Sequence, residues 1–280
     1  MISLRYFLPA PDLRRYISSY YVFRADLPRV SDLVRADLAQ IRFMLSGRGF
    51  YQFADGRSIP AAPISLIGAT MAASRFDVIG PVAVFGVGLL PTGWAAGIRE
   101  DASRLVHQVD DAAARLGSIL DDALDAMRSA PAPEVMVSIA DVTFRAVFSG
   151  AAEPPIWFTR ATEAWLTESA SPSVDALIAG SGMSARQLER LANRIYGAPP
   201  KLLARKYRAL RAATALLDGR VDWTASVGDV FYDQSHFIRE VKLFTGLTPR
   251  QFQDNPPPVT RLVHQRRGFA TQLPKIAVVR

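Results

Sequence analysis

The sequence contains no cysteine and only three histidines in 280 residues. Without cysteine the chain can form neither disulfides nor thiolate metal sites, which is compatible with a reducing cytoplasm, and we expect a cytoplasmic protein. Only His107 lies in the first half, so that half lacks the cluster of histidines that a metal-dependent barrel enzyme needs. We therefore expect no metal and no other cofactor.

Familiar catalytic motifs are also missing. The sequence has no Gly-x-Ser-x-Gly nucleophile elbow and no glycine loop that would cradle phosphate, and Gly86-Val87-Gly88 does not open a helical pattern. The acidic pairs Glu100-Asp101 and Asp121-Asp122 are consecutive, so on a helix their carboxylates point apart. The prediction is that the chain is not an enzyme.

A membrane span is considered and rejected at residues 78–98, which carry no charge over 21 positions. Five glycines and two prolines interrupt this segment, and residues 82–89 fit a buried strand that ends at Pro91. Near the start, Arg5, Arg14 and Arg15 leave no uninterrupted apolar core for a signal peptide. We expect no membrane partner.

Short apolar or alternating runs separated by Gly, Pro and Asp fill the first 90 residues. Several short strands at near-regular spacing are typical of a small all-β barrel or sandwich, and Asp55-Gly56 is a hairpin signal. The predicted strands are Tyr20–Phe23, Ala39–Leu45, Gly49–Phe53, Ile64–Ile67, Phe76–Ile79 and Val82–Leu89. Helical patterns at 110–127, 134–148 and 155–168 follow, and they would brace the barrel or pair two subunits.

An aromatic cluster in this half has two interpretations. Its residues could line an apolar pocket with a charged handle for a small ligand, or they could form the barrel core. They are Tyr16, Tyr20, Tyr21, Phe23, Arg42, Phe43 and Met44. The effector-binding residues are therefore left unassigned.

The second half contains an internal repeat, in which residues 184–201 lie over residues 233–250 at an offset of 49 positions. The overlay pairs Leu188 with Phe237, Arg190 with Arg239, Ile195 with Phe244, Gly197 with Gly246 and Pro200 with Pro249. Each copy predicts a helix that starts at a capping residue and ends at a glycine followed by a proline. Two copies of one capped helix indicate two copies of one recognition device.

Each copy follows a shorter helical pattern, at 174–179 and at 223–230. A helix, a tight turn and a second helix with a polar face are typical of the helix-turn-helix, whose second helix enters the major groove of DNA. Between the copies, residues 201–217 predict one long helix that would hold two reading heads at a fixed spacing. Successive major-groove faces lie roughly 34 Å apart.

Charge follows the same division of the chain. The net charge is +7, yet residues 1–150 hold 15 basic and 15 acidic residues, while residues 151–280 hold 18 basic and 11 acidic ones. Neutralising phosphates is the main sequence-independent part of DNA affinity, so the excess lies where DNA would bind. A basic surplus can also be only a solvated face.

The stretch Phe231 to Glu240, followed by Phe244-Thr245-Gly246-Leu247-Thr248-Pro249 and Phe252, closely resembles the signature of AraC/XylS-type bacterial transcription regulators. Residues 200–203 and 205–208 are similar to the middle segment of that family. The resemblance implies two helix-turn-helix units that read adjacent major grooves, behind a cupin-like barrel that senses a ligand or mediates dimerisation. Val230 stands where the family usually has glycine, which puts the first helix of the second unit in doubt.

The polar faces of the two repeat helices supply the predicted DNA contacts. Arg and Gln can each pair with a base edge through two hydrogen bonds, whereas Lys and outlying Arg side chains suit phosphates. The predicted contacts to bases or nearby phosphates are Arg186, Gln187, Arg190, Gln234, Ser235, His236 and Arg239, and those to phosphates are Lys201, Arg205, Lys242 and Arg250. His236 could instead serve the helix cap, and Gln187 a capping box.

Together these features predict an α+β multidomain protein. The expected divisions are a cupin-like β-barrel with helices at 1–150, an all-α domain with two helix-turn-helix units joined by a long helix at 151–255, and a mobile, proline-rich, basic tail at 256–280. The expected function is transcription regulation, here as an activator, with double-stranded DNA, a small-molecule effector and RNA polymerase as partners and a homodimer as the assembly. The alternatives are a barrel-domain enzyme with DNA-targeting helices and a protein-binding module.

Overall fold

The computed structural model of the protein describes residues 1–219 and 231–278. Strands occupy the first part of the chain and helices the remainder, so the predicted α+β organisation is confirmed. The strands are β1 (Ile2–Phe7), β2 (Ile17–Ala25), β3 (Arg29–Val34), β4 (Gln40–Gln52), β5 (Ser58–Pro60), β6 (Ile64–Ile67), β7 (Ser74–Leu89) and β8 (Val109–Asp111).

All eight described strands belong to one antiparallel sheet of order β1-β2-β7-β4-β6-β8. The long strands β7 and β4 form its centre; β3 pairs with the first half of β7, and β5 pairs with the end of β4. Within the described residues β1 and β8 do not pair with each other, so the sheet is not closed into the barrel that the sequence predicted. Instead, helices and the C-terminal segment cover its faces.

The helices after the sheet fall into two groups. Helices α1 to α4 follow the sheet, and of these α2, α3 and α4 contribute side chains to the core beneath it, while α5 to α12 form the C-terminal part. Their bounds are α1 (Pro91–Gly93), α2 (Ala112–Leu116), α3 (Ile119–Arg128), α4 (Pro133–Phe148), α5 (Ile156–Glu168), α6 (Val174–Ser181), α7 (Ala185–Tyr196), α8 (Pro200–Leu217), α9 (Gln234–Thr245), α10 (Pro249–Asp254), α11 (Pro258–His264) and α12 (Lys275–Val278). No helix in the described ranges is long and apolar enough to cross a membrane.

One predicted helix is divided in two. The pattern at 110–127 becomes α2 and α3 because Gly117 adopts a φ of 99° between them, a conformation that ends a helix. Leu120, Leu124 and Met127 of α3 then pack with Phe144 of α4 in the core beneath the sheet.

The C-terminal segment differs from the mobile tail expected of it. Pro258 occupies the first turn of α11, where its missing N–H is not needed, and Val259 is buried against the sheet. A 3₁₀ turn, Gln265–Phe269, leads on, and Ile276 and Ala277 of α12 are buried in the core of the helical half. Burial of these apolar side chains explains why the segment is held on the protein.

The C-terminal ends of both repeat helices are docked on the sheet half. The Ala36 N–H donates to the Phe244 carbonyl at 2.7 Å, and the Ala73 N–H donates to the Leu243 carbonyl at 2.8 Å. At the matching end of α7, a Cβ on Gly197 would lie 2.6 Å from Val106, so only glycine permits this approach. The opposite ends of α7 and α9 are therefore the ones left to face a partner.

Candidate nucleic-acid interface and ligand cavity

Helix α7 separates a buried face from a basic exposed face. Leu188, Ala192 and Ile195 are buried, whereas Arg186 and Arg190 are exposed. Ser184 and Gln187 form the predicted capping box: the Gln187 N–H donates to the Ser184 hydroxyl, and the Gln187 Oε1 accepts from the Ser184 N–H at 3.0 Å. The side-chain oxygen of Gln187 thus stabilises the start of the helix, and the residue remains exposed.

Helix α9 repeats this arrangement. Its cap is Asp233, whose Oδ1 accepts from the His236 N–H at 2.7 Å. Phe237, Val241 and Phe244, which recur at i, i+4 and i+7, are fully buried. Its exposed polar side chains are Gln234, Ser235, Arg239 and Lys242. The two copies therefore present matching polar faces.

His236 and Arg205 are more enclosed than the other predicted contacts, because both face Glu240. Arg205 donates to Glu240 at 2.7 Å, and His236 Nε2 lies 4.0 Å from the same carboxylate, of which only 4% is exposed. Arg208 lies 3.9 Å from it. This cluster joins α8 to α9, so Arg205 and His236 help to fix the orientation of the second helix.

The remaining predicted phosphate contacts lie on the surface. Lys201 is exposed at the start of α8, and Arg250 is exposed and pairs with Asp254 one turn further along α10. Two residues that the sequence interpretation passed over share this surface: Arg194, four positions after Arg190, and Tyr232, whose exposed fraction is 94%. The four-residue spacing from Arg190 could have identified Arg194.

The first predicted helix-turn-helix unit lies entirely within the described residues. Helix α6 leads through Gly182, at a φ of 65°, into α7. The predicted first helix of the second unit, at 223–230, and with it Val230, lies outside the described residues. Helix α8 between the units spans 18 residues, or roughly 27 Å at 1.5 Å per residue.

Lys206 on α8 is a buried charged residue that the sequence did not reveal. It is buried, and its Nζ donates at 2.8 Å to each of two carbonyl oxygens of the sheet half, those of Asp37 and Thr70. Burial lowers the pKa of the Lys206 ammonium group to about 7, against the opposing attraction of Asp37. The linker helix is thus tied directly to the sheet half.

A cavity of about 80 Å³ lies between the sheet and α11. Its wall is mainly apolar, and its polar groups include Arg42, Gln40 and Tyr21, with the Arg42 Nε donating to the Tyr21 hydroxyl at 2.8 Å. Gly86 permits this arrangement, since a Cβ there would lie 2.0 Å from the Tyr21 ring. Apolar walls with a few convergent polar groups are typical of small-molecule sites.

The aromatic cluster named from the sequence divides between cavity and core. Tyr21, Phe23, Arg42 and Met44 line the cavity. Tyr16, Tyr20 and Phe43 are instead buried in the core on the other side of the sheet, where Tyr16 stacks on Phe148. The division follows from the strand period of two, which sends Tyr20 and Tyr21 to opposite faces.

The lone histidine of the first half has a structural role. The Met71 N–H donates to His107 Nε2 at 3.2 Å, and burial lowers the pKa of the ring, which favours its neutral form. Among the described residues there is no group of three or more His, Asp or Glu side chains that could hold a metal ion.

A family model described as a helix-turn-helix domain matches residues 177–255, a range that begins within α6 and ends just after α10. The C-terminal half carries an AraC-type helix-turn-helix domain. The resemblance drawn from the sequence is thereby confirmed. Helices α7 and α9 both lie within the matched range.

Comparison with solved structures gives only distant likenesses. A structure of ToxT from Vibrio cholerae is 10% identical, with 84% of this chain and 97% of that chain covered and a TM-score of 0.48. ToxT with a bound unsaturated fatty acid is 11% identical over 80% and 94% of the two chains, with a TM-score of 0.45. The AraC-like transcriptional activator CuxR is 14% identical over 75% and 86%, with a TM-score of 0.30. No curated protein matches the chain.

Proposed function

We propose that the protein is a sequence-specific DNA-binding transcription regulator that responds to a small-molecule effector in its N-terminal half. The observation that carries this proposal is the pair of matching, capped helices α7 and α9, each with a buried apolar face and an exposed arginine-bearing face. Helix α8 holds them in one rigid unit. Such a unit suits two adjacent major grooves.

Within this proposal the exposed side chains divide by chemistry. Arg186, Arg190, Gln234 and Arg239 contact base edges, with Gln187, Ser235 and His236 beside them at the helix starts. Lys201, Lys242 and Arg250 contact phosphates, together with Arg194 and Tyr232. Arg205 orients α9 through its ion pair with Glu240, and only the exposed part of its side chain contacts phosphate.

The two proposed roles, effector binding and DNA binding, belong to different parts of the chain. Residues 1–150 bind the effector and pair subunits, and residues 151–255 read DNA. Contact with RNA polymerase stays a prediction, as does the activator role.

A binding assay with the intact chain tests the proposal. We expect a footprint on the DNA upstream of the protein's own reading frame, with affinity that falls as salt rises. In the double variant Arg190→Ala, Arg239→Ala, discrimination between the footprinted site and scrambled DNA falls, by about 1 to 3 kcal/mol for each arginine that pairs with a base through two hydrogen bonds.

Arg24→Ala is the matched control, because Arg24 is an exposed arginine of the sheet half. It should leave both affinity and discrimination unchanged. Absence of any footprint, or binding by the double variant with undiminished discrimination, would contradict the assignment of the two helix faces.

A further inference from the structure

The C-terminal segment, residues 256–278, closes the cavity although it lies beyond the matched helix-turn-helix domain. Helix α11 packs against β1 and β3, and the Val259 N–H donates to the buried Asp32 carboxylate at 2.9 Å. Val259, Val263 and Arg266 all line the cavity. The segment therefore supplies one wall of a site whose other walls belong to the sheet.

Positive charge exceeds negative charge around this cavity. Two guanidinium groups, those of Arg42 and Arg266, line it with a single carboxylate, that of Asp37. Arg35 lies near enough to Asp37 and Arg266 to act on both electrostatically. Burial raises the pKa of Tyr6 and Tyr21, so neither phenol supplies a negative charge at neutral pH. Buried charge without a counter-charge is costly, and a bound anion would remove that cost.

Of the two arginines that line the cavity, Arg266 is the less satisfied, since Arg42 donates hydrogen bonds to Tyr21 and Gln40. Only 7% of its side chain is exposed, its Nη2 lies 3.3 Å from both oxygens of Asp37, and its Nε is buried without a hydrogen-bond partner among the described residues. A guanidinium can bind a carboxylate through two parallel hydrogen bonds, whereas this pairing uses one nitrogen at long range. Arg266 thus has unused capacity to bind an anion.

The volume of the cavity limits the size of the ligand that it can hold. About 80 Å³ holds a few water molecules and not a drug-sized ligand. The sheet wall is fixed by strand pairing, but α11 is a seven-residue helix. An occupant larger than the cavity would therefore displace α11 more readily than the sheet.

We infer that Arg266 is a ligand-contacting residue and that the effector is an organic carboxylate with an apolar body, whose binding moves Arg266 from Asp37 to the ligand and shifts α11. The apolar body occupies the space between Met44, Val84 and Val263, and Arg42 lies within the same cavity. This inference deepens the proposed function, since it names the class of effector for the same site.

The same segment reaches the DNA-reading half. Arg267, the residue after Arg266, pairs with Asp218 at the end of α8, and His264 Nε2 lies 2.9 Å from that carboxylate. A shift of α11 therefore changes the pairing at the end of the linker helix. Effector binding and the placement of the reading heads are coupled through residues 264–267.

Ligand binding is tested with the intact protein and without DNA, so the result does not depend on the proposed DNA binding. Two acid and alcohol pairs serve as probes: decanoate with decan-1-ol, and 4-phenylbutyrate with 4-phenylbutan-1-ol. Isothermal titration calorimetry should show at least one acid binding at least tenfold more tightly than its alcohol. Arg266→Gln should remove that preference, while Arg261→Gln, which changes an exposed arginine of α11, should keep it.

A second variant keeps the inference testable if Arg266→Gln fails to fold. Val263→Trp places an indole in the cavity and should weaken binding of the preferred acid at least tenfold, with the circular dichroism spectrum unchanged. The inference is overturned if neither acid is preferred to its alcohol. It is equally overturned if a preferred acid binds folded Val263→Trp as tightly as it binds the wild type.

Discussion

At the scale of single residues, Lys206 shows how one buried charge ties the two halves together. Its ammonium group lies between two carbonyl oxygens of the sheet half, and the carboxylate of Asp37 is close by. Burial alone would raise the pKa of Asp37, but Arg266, Arg35 and Lys206 hold it below its ordinary value. The junction between the halves is thus a small network of charges.

This junction predicts a pH-dependent stability. The pKa of Lys206 is about 7 in the folded protein, below its ordinary value of 10.5. Between these values the unfolded chain binds the extra proton, so stability rises with pH, by up to about 1.4 kcal/mol per pH unit. Below pH 7 both states are protonated and this contribution is flat.

Thermal unfolding of the wild type and of Lys206→Met, followed from pH 6 to pH 9, measures the effect. At pH 6 the variant should be less stable by about 1 to 3 kcal/mol, because two buried carbonyl oxygens lose their donor. The wild type should gain on the variant only above about pH 7. Parallel curves for the two proteins would show that Lys206 keeps an ordinary pKa.

At the scale of elements, the sequence predicted the features that depend only on neighbouring residues, such as the ends of helices. Ser184, Gly197 and Gly246 mark helix ends through their own backbone and side-chain preferences, and all three act as predicted. The sequence predicted separate strands at residues 39–45 and 49–53. In the structure Gly47, at a φ of 79°, lies in a bulged part of β4, and pairing with β7 carries the strand through.

Contacts between distant parts of the chain explain what sequence did not predict. Lys206 has charged neighbours in the sequence, and nothing in that pattern indicates that its side chain is buried. Its hydrogen-bond partners Asp37 and Thr70 are distant from it in the sequence. Likewise α11 has a basic, proline-rich context, and only the shape of the sheet gives Val259 a place to be buried. A local sequence pattern does not show which distant residues will pack against a given side chain.

Helix α4 bears an apolar stripe that supports the predicted pairing of subunits. Val135 and Val142 are exposed, Val142 at 67%, and Ile139 lies between them on the same face. Val142→Glu should weaken self-association at least tenfold, because a carboxylate would have to be buried in the interface. Sedimentation velocity over a concentration series gives the measurement.

The matched control for this stripe is Ala114→Glu, an equal change of charge at an exposed site on α2. It should leave the sedimentation coefficient unchanged. A wild-type protein that remains a monomer at the highest concentration would remove α4 as a pairing surface.

At the scale of the whole molecule, charge is distributed unevenly between the two parts of the chain. The entire excess of +7 belongs to residues 151–280. The two repeat helices are docked by their C-terminal ends on the half that carries no net charge, while Arg190 and Arg239 on these helices are exposed. The position of charge, more than its total, should then control DNA affinity.

The dependence of DNA affinity on salt concentration distinguishes the effect of where the charge lies from the effect of the total charge. Each phosphate that a removed side chain no longer neutralises should make the slope of log affinity against log salt less steep by about 0.9. The triple variant Lys201→Ala, Lys242→Ala, Arg250→Ala should therefore reduce the slope by about three units on specific and scrambled DNA alike. The matched control, Arg24→Ala, Arg48→Ala, Arg75→Ala, removes the same charge from the exposed surface of the sheet half and should leave the slope unchanged. If both triple variants reduce the slope equally, DNA senses the net charge of the molecule and not the positions of these three side chains on α8, α9 and α10.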